Sequence, residues 1–209
     1  MNAAEFEERL GKGEMRLALV GMSNAGKTKL GKALASAFSF DHVEVDNDIR
    51  RELGVSNMDG LADWLGLPET EGYGEREQRY LELEEVHTTR KRPEAGNLVL
   101  DTTGSVVHLP DRALGNLRER YFIVHLDVGS EALESLVDKY FAKPKPVVWG
   151  EYFSRQAGEP MREALKRSYP ELLQARLARY RELAHVSLPT RELNALLAQA
   201  LLNGIRSKL

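Results

Sequence analysis

Gly21-Met22-Ser23-Asn24-Ala25-Gly26-Lys27-Thr28 follows the apolar run Leu17-Ala18-Leu19-Val20 and precedes a helical pattern that begins at Lys29. A Gly-x4-Gly-Lys-Thr spacing between a strand and a helix reads as a phosphate-binding loop. Its two glycines let the backbone turn tightly and aim successive N–H groups inward, where a triphosphate is held by the nest and the helix N-terminus. Lys27 supplies the mobile cation. The Thr28 hydroxyl is the small oxygen ligand that a magnesium ion bridging the outer phosphates requires. Gly21, Ser23, Asn24, Ala25, Gly26, Lys27, Thr28 and Lys29 are therefore the expected ATP contacts. A glycine-rich turn that binds nothing is the alternative, and the specificity of the motif stands against it. Beyond the loop, Leu30, Leu34 and Phe38 recur at four-residue spacing, with Ala33 and Ala37 completing the buried stripe of a helix.

Further out, strand and helix patterns alternate. His42-Val43-Glu44-Val45 runs straight into Asp46-Asn47-Asp48, and Ile49 starts a short helix that Gly54 stops. Two carboxylates at the carboxyl end of a strand face the ligand crevice of an open α/β sheet. With the chain extended, both point to the same side and divide labour between a magnesium shell and a substrate hydroxyl; alternatively one of them caps the next helix. Helical patterns cover residues 58–65 and 75–91, the second crowded with charges such as the Arg79 and Glu82 pair. The third strand, Asn97 to Leu100, ends in Asp101-Thr102-Thr103-Gly104-Ser105. A helix over 109–118, a strand from Tyr121 to Leu126 and a helix over 131–141 capped by Ser130 follow. Residues 142–160 break every regular pattern with prolines, glycines and an exposed Trp149, a composition that suits a mobile lid and equally an ordinary surface loop. Helices resume at Met161 and again after Pro170, His185 to Leu188 is the fifth strand, and Thr190 caps a last helix from Arg191 to Lys208. Alternation of this kind predicts an α/β fold, a five-stranded parallel sheet sandwiched between helices.

Composition sets outer limits. The 209 residues suit one domain, 1–209, with inserted lobes. Lys plus Arg number 29 against 32 for Asp plus Glu, a formal net charge of −3, so nothing global favours nucleic acid or an anionic membrane as partner. The lack of cysteine removes disulfides, thiolate metal sites and cysteine nucleophiles. Residues 1–10 form an acidic helix pattern without the apolar core of a signal peptide, and the expected location is the cytoplasm. The five histidines have no metal-ligand spacing, and packing accounts for those within strands.

Six separate stretches make the chain resemble the shikimate kinase family. These are the phosphate loop, Asp46-Asn47-Asp48 for an Asp-x-Asp, and Gly74-Glu75-Arg76-Glu77-Gln78-Arg79-Tyr80-Leu81-Glu82 for a Gly-Glu-x-x-Phe-Arg-x-x-Glu helix start with Gln78 in the aromatic position. Thr103-Gly104-Ser105 stands where the family has three glycines and Lys145-Pro146-Val147-Val148 where its lid has Arg-Pro-Leu-Leu. Arg176 to Tyr180 is similar to its late Arg-x-x-x-Tyr segment. The resemblance implies transfer of the γ-phosphoryl group of ATP to a hydroxyl of shikimate or a similar polyhydroxylated carboxylate. It also implies a substrate-binding lobe at 46–92 and a lid at 142–160. Lys27, Asp48 and Lys145 are then catalytic, Asp48 contacts ring hydroxyls, and Arg79 and Arg176 clamp the carboxylate. The Gly104 backbone closes on the substrate, and Thr28 with Asp46 holds Mg2+. Guanidinium forks suit a carboxylate because two parallel N–H bonds fix its plane. The expected partners are ATP and a small-molecule acceptor, for a protein acting as a monomer. Rival readings are a kinase of another polyol, a sugar acid or a nucleotide, and an ATP-binding protein without kinase activity.

Overall fold

The computed structural model describes residues 1–193 and 197–209. Five strands, β1 (Arg16–Val20), β2 (Asp41–Glu44), β3 (Leu98–Asp101), β4 (Phe122–Asp127) and β5 (Val186–Pro189), form one sheet in the order β2-β3-β1-β4-β5. All pairings are parallel, with Ala18 of β1 opposite Leu100 on one side and Ile123 on the other. Strands packed by helices on both faces read as continuous apolar runs, and Leu17 to Val20 are fully buried accordingly. The chain leaves β1 toward one half of the sheet and returns to the other, so the crevice above β1, between β3 and β4, is the switch point where such sheets bind ligands.

Helices among the described residues are α1 (Ala3–Lys12), α2 (Lys27–Phe38), α3 (Val45–Glu52), α4 (Met58–Leu65), α5 (Tyr73–Thr89), α6 (Asp111–Arg120), α7 (Leu133–Ala142), α8 (Met161–Leu183) and α9 (Leu197–Arg206). None of the described helices is long and apolar enough to cross a membrane. The expected last helix over 191–208 is a short 3-10 turn, Thr190–Glu192, followed by α9; its residues 194–196 lie outside the described residues.

Four local expectations are corrected. The helix after β2 begins at Val45, four residues earlier than Ile49, so Asp46 and Asp48 lie in a helical first turn and not on extended chain. Pro170 does not divide its region, because α8 runs through it from Met161 to Leu183. A proline inside a helix forfeits one backbone bond. Here Leu165, Tyr169, Leu172 and Leu173, all buried around it, hold the helical path. Ser130 makes no side-chain cap; it opens a 3-10 turn ahead of α7. Trp149 is buried to 1% exposure, edge-on to Tyr140 and Phe153 and tilted against Tyr169. The segment 142–160 is therefore anchored by aromatic packing across the cleft.

Candidate active site

The phosphate loop joins β1 to α2. Gly21 has φ 144°, and a Cβ there would meet the Leu126 carbonyl oxygen at 2.9 Å, so only glycine lets the loop leave the sheet this close to β4. Gly26, with φ 96°, turns the chain into α2. Lys27 is buried and its Nζ donates to the carbonyls of Gly21 at 2.9 Å and Met22 at 3.1 Å, across the mouth of the loop. Burial pulls the Lys27 pKa down, while the facing charges of Asp101 and Asp46 pull it up. Ser23, Asn24, Gly26, Lys27, Thr28 and Lys29 line a pocket of about 360 Å³ that Asp46, Asp101, Gly104 and Lys145 complete. Gly21 and Ala25 shape the loop from behind without lining that pocket.

Thr28 Oγ1 donates to Asp101 Oδ2 at 2.6 Å. The pairing follows from topology: β3 is the neighbour of β1, so its last residue lies beside the start of α2. Thr28, Asp101 and the adjacent Asp46 are hard oxygen donors around one side of the phosphate pocket. That set fits magnesium, which binds through one or two carboxylates plus phosphate oxygens and water and needs no all-protein cage. Asp101 is the member of the set that the sequence expectation did not assign. Its signal was present as a carboxylate at the end of a strand.

Asp46 and Asp48 diverge because residues two apart on a helix point some 200° apart. Asp46 lines both the phosphate pocket and a second, enclosed space beside it. Its Oδ1 accepts from the Tyr80 hydroxyl at 3.1 Å. Burial pushes its pKa up, opposed by Lys27 and reinforced by Asp101. Asp48 turns the other way, toward Arg51 at 2.7 Å, Arg92 at 3.2 Å and the ring of His87, and lines neither space. Of the two carboxylates expected at the site, Asp46 is therefore the one that faces these spaces, and Asp48 faces away from them.

The enclosed space, about 30 Å³, has room for a water molecule or two. Ser23, Asn24, Tyr80, Gly104, Ser105 and Arg176 supply its polar wall, and Pro146 and Val147 close it from above. Arg176 is 4% exposed. Its Nε donates to His108 Nε2 at 3.0 Å and its Nη2 to the Val148 carbonyl at 2.7 Å. A methyl placed on Gly104 would stand 3.8 Å from Arg176 Nη1, so the turn at Gly104 and the guanidinium face each other closely. Tyr180, one turn further along α8, donates its hydroxyl to the Gly104 carbonyl. Arg79 is on the outside: its side chain is half exposed and paired with Glu52 and Glu82, each at 3.5 Å. The structure therefore does not bring Arg79 beside Arg176, since the inward stripe of α5 is Tyr73, Glu77, Tyr80 and Glu84.

Two of these inward residues carry chemistry that motif matching missed. Glu84 is fully buried and accepts from Thr103 Oγ1 and, at 2.6 Å, from Ser105 Oγ. Burial raises its pKa to about 7, against the lowering effect of the two hydroxyls. Glu77 Oε1 accepts from the backbone N–H of Trp149 at 2.6 Å and of Gly150 at 3.1 Å, and the Tyr73 hydroxyl reaches the Val147 carbonyl at 3.3 Å. Together with the Arg176 contact to Val148, these bonds tie the strap over 142–160 to α5 and α8 through its backbone. Their signal was the four-three-four spacing of Tyr73, Glu77, Tyr80 and Glu84.

Strand order and phosphate loop together define a P-loop kinase of small molecules. A family model described as shikimate kinase matches residues 23–206. Relatives include the shikimate kinases of Mannheimia succiniciproducens, 27% identical over 183 residues and 85% of this chain and 86% of the other, and of Pasteurella multocida, 28% identical over the same shares. Among solved structures, shikimate kinase from Acinetobacter baumannii in complex with shikimate superposes with a TM-score of 0.59 at 25% identity, covering 93% of each chain. This chain belongs to the shikimate kinase family.

Proposed function

We propose that the chain transfers the γ-phosphoryl group of ATP to a hydroxyl of shikimate or a closely similar polyhydroxylated carboxylate. The observation that carries this reading is Arg176, a buried guanidinium set against Gly104 in the space that adjoins the phosphate pocket. Membership of the family and the likeness to a shikimate-bound relative support it.

In this reading the acceptor hydroxyl oxygen forms a bond to the γ-phosphorus as the bond from that phosphorus to the β,γ-bridging oxygen breaks, leaving ADP. Such transfer passes through a loose transition state, so positioning and charge stabilisation are the protein's share. Lys27 leaves the carbonyls of Gly21 and Met22 for the β and γ oxygens, and the loop amides hold the rest of the chain of phosphates. Thr28, Asp101 and Asp46 would hold Mg2+, which when bound neutralises phosphate charge. Asp46 orients the attacking hydroxyl and takes its proton late. Arg176 fixes the acceptor carboxylate. Because 30 Å³ admits no such acceptor, the strap over 142–160 acts as a lid that lifts and then recloses, bringing Lys145 over the phosphates and excluding water. The activity belongs to aromatic amino acid biosynthesis, in the cytoplasm.

The test is ADP release from Mg-ATP with and without shikimate, product identified by mass, in wild type and in Lys27→Ala, Arg176→Ala and Arg79→Ala. Expected are saturable stimulation by shikimate, loss of turnover in Lys27→Ala, an acceptor KM raised at least tenfold in Arg176→Ala and near-normal constants in Arg79→Ala. Lack of stimulation by shikimate and by a panel of cyclic hydroxy acids would refute the reading.

A further inference from the structure

Arg176 departs from the usual pattern of a buried arginine, which is held by a carboxylate. Its Nε donates to an imidazole, His108 Nε2, at 3.0 Å. His108 ends the 3-10 turn Val106–His108 that begins just past Gly104 and Ser105. That turn is gripped by α8 at three points within about one helical turn: Arg176 on His108, Arg179 on the Val107 carbonyl at 3.1 Å, and Tyr180 on the Gly104 carbonyl. The ring of His108 is also edge-on to Tyr152 of the 142–160 segment, 6.2 Å between centroids.

We propose that His108 is the positioning residue for Arg176, fixing the plane of the guanidinium so that its Nη edge is presented to the acceptor carboxylate while its full positive charge is kept. The inference rests on the reading that a carboxylated acceptor binds at Arg176. A guanidinium has its donors in one rigid plane, so anchoring Nε at one end sets the direction of both Nη groups at the other. An anchor could be a carboxylate or a neutral acceptor. A carboxylate would hold the same geometry but cancel the charge that an anionic acceptor is attracted to. A neutral imidazole orients without cancelling. Burial, with the nearby charges of Arg176 and Arg179, keeps His108 in that form, pulling its pKa down to about 3. The Nη2 position taken by the Val148 carbonyl in the closed lid is then the one an acceptor oxygen claims, so the acceptor and the Val148 carbonyl compete for one donor.

The experiment compares wild type, His108→Leu and His108→Gln. Leucine fills the space without an acceptor atom, and the glutamine amide oxygen restores one. Steady-state constants are measured for shikimate, for its neutral counterpart with hydroxymethyl in place of the carboxylate, and for ATP. Exchange of the Arg176 Nε–H is followed in parallel by nitrogen-15 arginine spectra. Expected in His108→Leu are an acceptor KM up about tenfold, an unchanged ATP KM, no effect on the neutral counterpart, and fast Nε–H exchange. Glutamine rescues both readouts, which a general packing defect would not. Wild-type shikimate KM in an active His108→Leu enzyme, or Nε–H protection that survives the leucine, overturns the assignment alone. A wild type inert toward every carboxylated acceptor overturns the reading beneath it, and this assignment with it.

Discussion

Replacing Glu84 by glutamine should remove one component of the protein's pH-dependent stability. Glu84 is an acid raised in the fold from 4.5 to about 7, chiefly by burial. The folded state therefore prefers the protonated form. The stabilisation from that proton is complete below the unfolded value and is lost as pH rises through the folded one. Between pH 5 and pH 8 the loss works out at about 2.5 kcal/mol, at about 1.4 kcal/mol for each tenfold change in proton affinity. Burial of this side chain is complete, so the figure needs no discount for solvent screening. Other groups act in the same range: burial pulls His108 down to about 3 and His125 to about 4, and each costs stability as pH falls below 6.5. They are common to both proteins and cancel in the difference. The assay is urea denaturation of wild type and Glu84→Gln at pH 5, 6, 7 and 8. Glutamine makes one of Thr103 and Ser105 reorient its hydroxyl, an offset independent of pH. Relative to the variant, wild type should lose about 2.5 kcal/mol across the range. A difference flat to within about 0.5 kcal/mol would refute a buried Glu84 with a raised pKa.

Other outcomes bear on the site directly. Asp46→Ala should cut kcat by roughly 10²- to 10⁴-fold, the range of a lost general base. Asp48→Ala should keep kcat within a few-fold yet destabilise the fold by about 2 kcal/mol, because partly buried Arg92 loses its carboxylate and keeps the His87 carbonyl; the reverse pattern in these two variants would return the catalytic role to Asp48. Asp101→Asn should raise the Mg2+ concentration for half-maximal activity about tenfold, since the carboxylate beside Thr28 is lost, and an unchanged requirement would remove Asp101 from the magnesium shell. With Trp64 replaced by phenylalanine so that Trp149 alone emits, Glu77→Ala should shift emission to the red as the lid loosens; emission fixed at its wild-type wavelength would show that the aromatic cluster alone keeps the strap closed.

The sheet, the loop and the alternation of strands with helices were legible because they depend on local period and on a motif whose spacing is itself the geometry. What escaped was helical phase. The register at Asp46-Asn47-Asp48 depends on where the helix begins, and a start at Val45 turns two neighbours on extended chain into opposite faces. A motif fixes Arg79 only by its count along the chain, yet Tyr80 and Glu84, with Tyr73 and Glu77, occupy the inward face, and one residue of offset swings a side chain by about 100°. The burial of Trp149 is hidden in the sequence because its proline and glycine neighbours describe only the chain around it. The Tyr140, Phe153 and Tyr169 rings that bury it come from α7, the strap itself and α8. Glu84 lay among charged residues whose solvated face is the ordinary expectation, and only the packed fold separates it from them.

The bonds that hold the 142–160 strap run to its main chain: Glu77 to two amides, Tyr73 and Arg176 to two carbonyls. A latch of that sort is blind to side-chain identity. Positions 146 and 147, which line the cleft, are thereby the places to tune what its roof presents, while the Glu77 bonds to the Trp149 and Gly150 amides continue to hold it. Selectivity and closure are separable in this scaffold, which makes the roof a natural place to build libraries for new acceptors.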